Sequence, residues 1–333
     1  MTIQFIEEST LTAMADAIRA GTGKTGTMKP SDMPTEIAAI KTYSREGKYV
    51  WSVQSGDGTT VDANAETKYV VSNDKNAYPK DGWVGRDYFK LVKGGLKIVT
   101  WADGTDDEIV AMVAAADKGD INLADYWNVG DERSVNLSAM AATGVGESHA
   151  AQTAKFVLMN AGGKDLVTAT ESGRTTCSFV VGLKDCLNEA GYMNSSNTNA
   201  NGWDGCARRT WCNSIFRNAI PSALRGIFKQ HKNKASAGSG SSTIKTSNDY
   251  FALPAEIEVF GTNSYSASGE GSRFKYYETA SNRLKNINGG AVGWWERSPY
   301  SGYSTDFCIV NSYGDSNGGY ASGTYGLAPF GCI

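Results

Sequence analysis

Between Tyr300 and Gly326 the chain contains no Lys, Arg, Glu, Gln, His, Met or Trp, yet it holds five Tyr, five Ser and six Gly. A loop selected only for solubility draws on Lys and Glu. Tyrosine instead supplies a large amphipathic contact area with few rotatable bonds, and Ser, Gly and Asn supply adaptable hydrogen bonds. Running through and beside this polar mixture is an apolar set: Trp294, Trp295, Phe307, Ile309, Val310, Leu327 and Phe330. A flexible Gly/Tyr/Ser-rich tail has no use for such a frame. Phe307 and Ile309, with Asp306, Cys308 and Val310, suit a short strand, and Asn311-Ser312-Tyr313-Gly314 suits the turn that ends it. The segment therefore predicts strand, loop, strand, with a fixed skeleton and displayed tips.

The missing residue types carry a second message. A codon with two leading adenines and a third-position pyrimidine can be changed at those adenines to Asn, Ser, Thr, Tyr, Asp, Gly and others. It cannot reach Lys, Glu, Gln, Met or Trp, and the segment obeys that restriction throughout. The frame Trp294-Trp295-x-Arg297-Ser298-Pro299-Tyr300, then Phe307-Cys308-x-Val310, Ala321, and Ala328-Pro329 with Cys332, resembles the variable proteins of diversity-generating retroelements. The resemblance covers roughly Lys97 to Ile333. It departs from the pattern at Glu296, where an apolar residue such as Leu is expected.

That resemblance implies an α+β fold, a C-type-lectin-like domain with two helices on antiparallel sheets, whose last strands and loops are randomised. It implies ligand contact by Tyr300, Tyr303, Thr305, Asp306, Ile309, Ser312, Tyr313, Asp315, Ser316, Asn317, Tyr320, Ser322 and Tyr325. Tyrosines are expected to dominate the binding energy, as interface anchors do. Trp294, Trp295, Arg297, Ser298 and Phe307 are expected as scaffold. A different reading of the same face is a lectin-like cell-surface or structural module with one fixed glycan ligand.

Bulk properties narrow the classes. At 333 residues two or three domains fit. The net charge of −3 does not indicate wholesale nucleic-acid binding. No apolar run approaches a membrane span, and MTIQFIEESTL lacks the basic and apolar regions of a secretory signal. Synthesis in the host cytoplasm without export, and no membrane insertion, are expected. The six cysteines form no CxxC pair, and His149 and His231 are the two histidines, so zinc-ligand spacing is absent. Free buried thiols in a reducing compartment are expected.

Along the chain, residues 1–43 read as a helical attachment module. Leu11, Met14, Ala15 and Ile18 share one helix face, and Lys29-Pro30-Ser31-Asp32-Met33-Pro34 precedes a second short helix. The string from Leu11 to Ile40 resembles a module found on phage tail and fibre proteins, which implies virion tail proteins as partners and a tail fibre or tail tip as the location. A homo-oligomer fits that setting, a trimer among them. GTGKT at 21–25 is not a phosphate loop: Ile18 stands where the motif needs Gly, and a helix rather than a strand precedes it.

Residues 44–95 read as a small β module with strands near Tyr49–Val53, Tyr69–Val71 and Tyr88–Val92, its aromatics Trp51, Trp83 and Tyr88 taken as core. Residues 96–333 read as one mixed domain carrying the variable region at about 294–333. Asp106 or Asp107 can cap a helix whose Ile109, Met112, Val113 and Ala116 share a face, stopped by Gly119. Strands are expected at Ser134–Leu137, Lys155–Met159 and Cys177–Leu183. A second helix starts near Cys206 with Trp211, Ile215 and Phe216 inward, and Pro221 starts another turn carrying Leu224, Ile227 and Phe228. No acidic residue lies between Asp204 and Asp249, whereas Arg208, Arg209, Arg217, Arg225, Lys229, Lys232, Lys234 and Lys245 are basic. Such a cluster suits an anionic ligand or nucleic acid, but compensation within the fold or across protomers by the acidic stretch from Asp103 to Glu132 is the commoner outcome.

Catalytic chemistry finds little support. His149 lies in a small-residue stretch, and no GxSxG elbow is present. Cys308 and Cys332 invite comparison with the formylglycine-generating enzymes, which share the lectin-like fold, but a shared fold does not license chemistry. No Glu-Pro-Asn or Gln-Pro-Asp triplet offers a calcium-dependent sugar site. The expected protein is not an enzyme and uses no cofactor or metal; its expected partner is a host cell-surface protein or glycan.

Overall fold

The computed structural model describes the backbone of Lys68–Val70 and Lys90–Val92 and residues 98–142 and 145–333. The two expected N-terminal helices, and Trp51 and Trp83, lie outside the described residues. The chain divides into two compact units, Met1–Thr100 and Trp101–Ile333. In the first, β1 (Lys68–Val70) and β2 (Lys90–Val92) pair antiparallel with Tyr69 opposite Leu91. No helix among the described residues is long and apolar enough to cross a membrane.

The second unit mixes helix with antiparallel sheet. Its first helix, α1 (Asp106–Lys118), turns Ile109, Met112, Val113 and Ala116 inward. The cap is Thr105 rather than Asp106 or Asp107. Its hydroxyl accepts from Glu108 N while the Glu108 carboxylate accepts from Thr105 N, a reciprocal box. The two aspartates occupy the first turn instead, where the helix dipole favours negative charge. Gly119 ends the helix at φ 80°, a left-handed conformation that suits glycine.

β3 (Glu132–Leu137), β4 (Gln152–Ala161), β5 (Phe179–Leu183), β8 (Phe251–Ala252) and β14 (Phe330–Cys332) form an antiparallel five-stranded sheet in the order β3-β4-β5-β14-β8. β5 is buried at every position, so it reads as a continuous apolar run rather than an alternation. A second helix begins at α2 (Ala207–Trp211) and passes through a π turn at Cys212–Phe216 into Arg217–Ala219. Trp211 and Phe216 are buried, but the π turn leaves Ile215 only half-buried. Pro221 precedes α3 (Ser222–Arg225). Trp101, Val135, Phe156, Ile220, Leu224 and Phe228 close around one small void, and Phe251 joins them through Phe228, with ring centroids 4.7 Å apart.

Two hairpins, β6 (His231–Ser236) with β7 (Ile244–Asp249), and β9 (Lys285–Ile287) with β10 (Gly290–Val292), flank a three-stranded antiparallel sheet. That sheet comprises β11 (Trp294–Pro299), β12 (Asp306–Val310) and β13 (Ser316–Tyr320). The helix α4 (Glu256–Phe260) packs against β11. The register of β11 against β12 shifts between Trp295 and Pro299. This irregularity brackets Glu296, Arg297 and Ser298, all three buried.

Candidate recognition face

The face is carried by β12, β13 and the turns around them. Tyr303, Tyr313 and Tyr320 are exposed at 60%, 84% and 63% of their surface. Asp315, Asn317 and Ser322 are exposed beside them; Tyr300, Thr305, Asp306, Ser312, Ser316 and Tyr325 are half-buried. Ile309 does not belong to the face. It is 3% exposed and pairs with Trp295 across the sheet. Both sides of β12 are covered here, so alternation along the strand brings none of Phe307 to Val310 to solvent.

The backbone under the tips is held by groups from outside the segment. Asn199 is fully buried; its amide donates to the carbonyls of Tyr303 and Asp306 at 2.7 Å each and reaches Tyr300 O at 3.3 Å. Its own backbone N–H donates to Ser304 O at 2.8 Å. Gly191 exchanges backbone hydrogen bonds with Tyr325, and Met193 and Asn194 both donate to Ala321 O. The turn after β12 closes on itself: Asn311 Oδ1 accepts from Tyr313 N at 2.9 Å and Asp315 N at 3.0 Å, and Gly314 sits at φ 87°.

Two rings lie across β13, and two glycines make room for them. A Cβ at Gly318 would come 2.6 Å from Tyr300 Cδ2, and one at Gly319 would come 2.7 Å from Tyr325 Cε2. Tyr325 then meets Trp295 edge-on at 4.7 Å, while Tyr300 stacks on Tyr265 at 5.0 Å and touches Tyr303 at 5.1 Å. Tyr265, Tyr300 and Tyr303 thus form a run of three contacting rings. Tyr265 is absent from the sequence-based candidates. A signal for it was present, because residues 262–269, TNSYSASG, share the Tyr/Ser/Gly/Asn mixture of the face.

Beneath the face lies a buried ionic cluster. Arg297 grips Glu258 with two N–H···O contacts at 2.5 and 2.8 Å, and donates to the carbonyls of Lys234, Leu253 and Glu270. Lys164 also pairs with Glu258. Burial alone would raise the Glu258 carboxyl, but Arg297 and Lys164 together hold it down to about 2. Glu256 accepts from Ser266 N at 2.8 Å, Tyr265 N at 3.0 Å and Ser316 Oγ at 2.5 Å, tying the Tyr265 loop to β13. Glu270 accepts from Ser236 N at 2.7 Å and from Ser298 Oγ; burial still pushes it up to about 7.

Glu296 differs from these neighbours. It is fully buried and neither carboxylate oxygen has a partner. Burial, and then the nearby Glu256, Glu270 and Glu258, push its proton affinity far above the ordinary carboxylate range. A neutral carboxyl therefore stands where the sequence pattern asks for a hydrocarbon.

Residues 180–333, which include the whole face, match a domain family described as a domain of unknown function (DUF6273). No curated protein and no solved structure matches the chain. The match begins in β5 and so takes in Asn199, Glu256, Tyr265 and Arg297 together with the tyrosines.

The other residues singled out in the sequence fall elsewhere. His149 is buried against Trp211, ring centroids 5.4 Å apart, with its Nδ1 3.2 Å from Asn188 Oδ1. Burial lowers its proton affinity, which suits a neutral structural imidazole. Cys308 and Cys332 are both buried and free, and burial raises both thiols well above their usual range.

Proposed function

We propose that this chain is a receptor-binding protein diversified by a retroelement. In this reading the second unit is a C-type-lectin-like domain that displays a variable tyrosine-rich face. The ligand is a protein or glycan on a host cell surface, the N-terminal module joins the chain to virion tail proteins, and the site of action is a tail fibre or tail tip. One observation carries most of the weight: Tyr303, Tyr313 and Tyr320 project into solvent from a held backbone, with the buried Asn199 bonding the Tyr303 turn, Asn311 closing the Tyr313 turn, and Tyr320 paired with Asp306 across the sheet. Rigid support of this kind limits the entropy lost on binding, which favours affinity. Copies on one particle add avidity without new contacts.

The test is adsorption of the purified chain to a panel of candidate host cells. Tyr303→Ala and Tyr320→Ala are expected to lower binding at least about tenfold, the effect of an interface anchor, with an unchanged melting temperature. Adsorption equal to the parent chain in the double variant refutes the reading. Sequencing the encoding locus separates it from a lectin of fixed specificity: a nearby reverse transcriptase and a near-copy of the segment differing at adenines belong only to the diversified protein.

A further inference from the structure

The acid-free stretch between Asp204 and Asp249 resolves into basic residues with different fates. Arg208 is buried and donates to the carbonyls of Tyr192 and Val145. Arg209 pairs with Asp249 at 2.6 Å and Asp204 at 3.4 Å, and Lys229 pairs with Asp117 at 2.8 Å. Arg217 and Arg225 pair with no carboxylate among the described residues. The Arg217 guanidinium makes no hydrogen bond to any described group, and Arg225 makes one, to Asn218 Oδ1 at 3.1 Å. The Nε of each is shielded from solvent and lacks a partner.

These two arginines converge. Together with Lys229 they line one cleft whose remaining wall includes Thr168, Gln230 and Tyr250. Arg217 lies flat on Tyr250, its guanidinium carbon 3.6 Å from the ring centroid. Local structure fixes both parts of that stack. Arg217 leaves the π turn, and Asn213 within that turn accepts from Tyr250 N at 2.6 Å and donates to Phe251 O at 3.0 Å. Stacking covers one face of the guanidinium, and its two terminal nitrogens, unlike Nε, are not sealed from solvent and make no hydrogen bond to a described group, which leaves them available to two oxygens of one anion.

We propose that this cleft binds an oxyanion, a sulfate, phosphate or carboxylate group, through Arg217 and Arg225. The group arrives either as a free ion or at the end of an acidic saccharide. None of the lining residues belongs to β11, β12 or β13, so the site is separate from the tyrosine face and does not depend on its assignment.

The test uses the full chain in equilibrium dialysis, at ionic strength held constant with sodium chloride. The probes are inorganic sulfate and a heparin-derived tetrasaccharide. The parent chain is expected to bind at least one of them saturably. Arg217→Gln with Arg225→Gln is expected to weaken binding at least about tenfold, since a charge-assisted contact contributes about a factor of ten or more. Thr168 is exposed, so Thr168→Glu places a carboxylate in the cleft without touching the arginines or the core, and it is expected to weaken binding likewise. Tyr303→Ala is expected to bind as the parent does. Tighter binding of the saccharide assigns the anion to a larger ligand; equal binding assigns it to the free ion. Absence of saturable binding by both probes overturns the proposal, as does unchanged affinity in both cleft variants or a loss confined to Tyr303→Ala.

Discussion

Replacing Glu296 with Leu is expected to stabilise the second unit, by an amount that grows with pH. The side chain is fully buried, neither oxygen has a partner, and three glutamates lie close enough to resist its ionisation. The sign follows from linkage. The folded state holds the proton, whereas the unfolded state releases it near the ordinary value of 4.5. Unfolded molecules therefore bind fewer protons, and stability falls as pH rises above that value. With about 1.4 kcal/mol lost per pH unit, the penalty is about 1 kcal/mol at pH 5 and about 3 kcal/mol at pH 7. A carboxyl buried without a hydrogen bond adds a further penalty of about 1–3 kcal/mol that does not depend on pH. Leu has nearly the same volume, so repacking offsets little of the gain. Urea unfolding followed by tryptophan fluorescence at pH 5, 6 and 7 measures it. Trp101, Trp127, Trp203, Trp211, Trp294 and Trp295 all report on the second unit. Glu270, raised to about 7, tilts the parent chain in the same direction, but it is present in both proteins and drops out of their difference. A difference between Leu and Glu that stays constant from pH 5 to pH 7, or a less stable Leu variant, refutes the account of a neutral, unpartnered carboxyl.

Three further outcomes follow from the same geometry. Glu258→Gln leaves Arg297 and Lys164 buried without a counter-charge and is expected to lose about 3–5 kcal/mol at pH 7; because the parent carboxyl is depressed to about 2, the gap should narrow as pH falls from about 4.5 toward that value, which acid-series urea unfolding reads. Asn199→Ala removes the donor shared by Tyr303 O and Asp306 O and is expected to lower stability by about 1–3 kcal/mol, with amide exchange accelerated in 300–306 ahead of the rest of the sheet. Trp295→Ala removes a fully buried ring and its bond to Gly191 O, and is expected to destabilise by about 3–5 kcal/mol in chemical denaturation.

Some of this architecture can be read from the chain and some cannot, for identifiable reasons. The helix α1 is legible because its periodicity and its stopping glycine are local signals; the expected Asp106 or Asp107 cap is wrong by one or two positions because Thr105-x-x-Glu108 forms a reciprocal box just before them. The β12 strand and its turn are legible for the same reason. Ile309 is expected on the face from the resemblance, yet alternation along β12 puts it on the same side as the scaffold residue Phe307, and both are buried. The supports of the face are illegible at any local range. Asn199 lies about a hundred positions before the carbonyls it binds, and Glu256 lies 60 positions before Ser316. Nothing in a short window announces either contact. The basic cluster is legible as composition, but only the fold separates Arg209, already paired, from Arg217, which is not.

The way the face is fastened determines which of its positions can change. Where the frame holds the segment through backbone atoms, as at Tyr303, Asp306, Ala321 and Tyr325, the side chain plays no part in the bond and replacing it leaves the bond intact. Where it holds through a side chain, as at Ser316 against Glu256 and Asn311 within its own turn, a replacement must supply the same donor or acceptor. Gly318 and Gly319 follow a third rule, since any larger residue there must displace Tyr300 or Tyr325. Free variation is thus confined to tips such as 303, 313, 317, 320 and 322. Each of these is exposed, and none uses its side chain to bond the buried frame. Under the proposed reading a ligand would meet changeable tips on fixed turns, beside two ring contacts that cross from the frame into the segment, Tyr265 with Tyr300 and Trp295 with Tyr325.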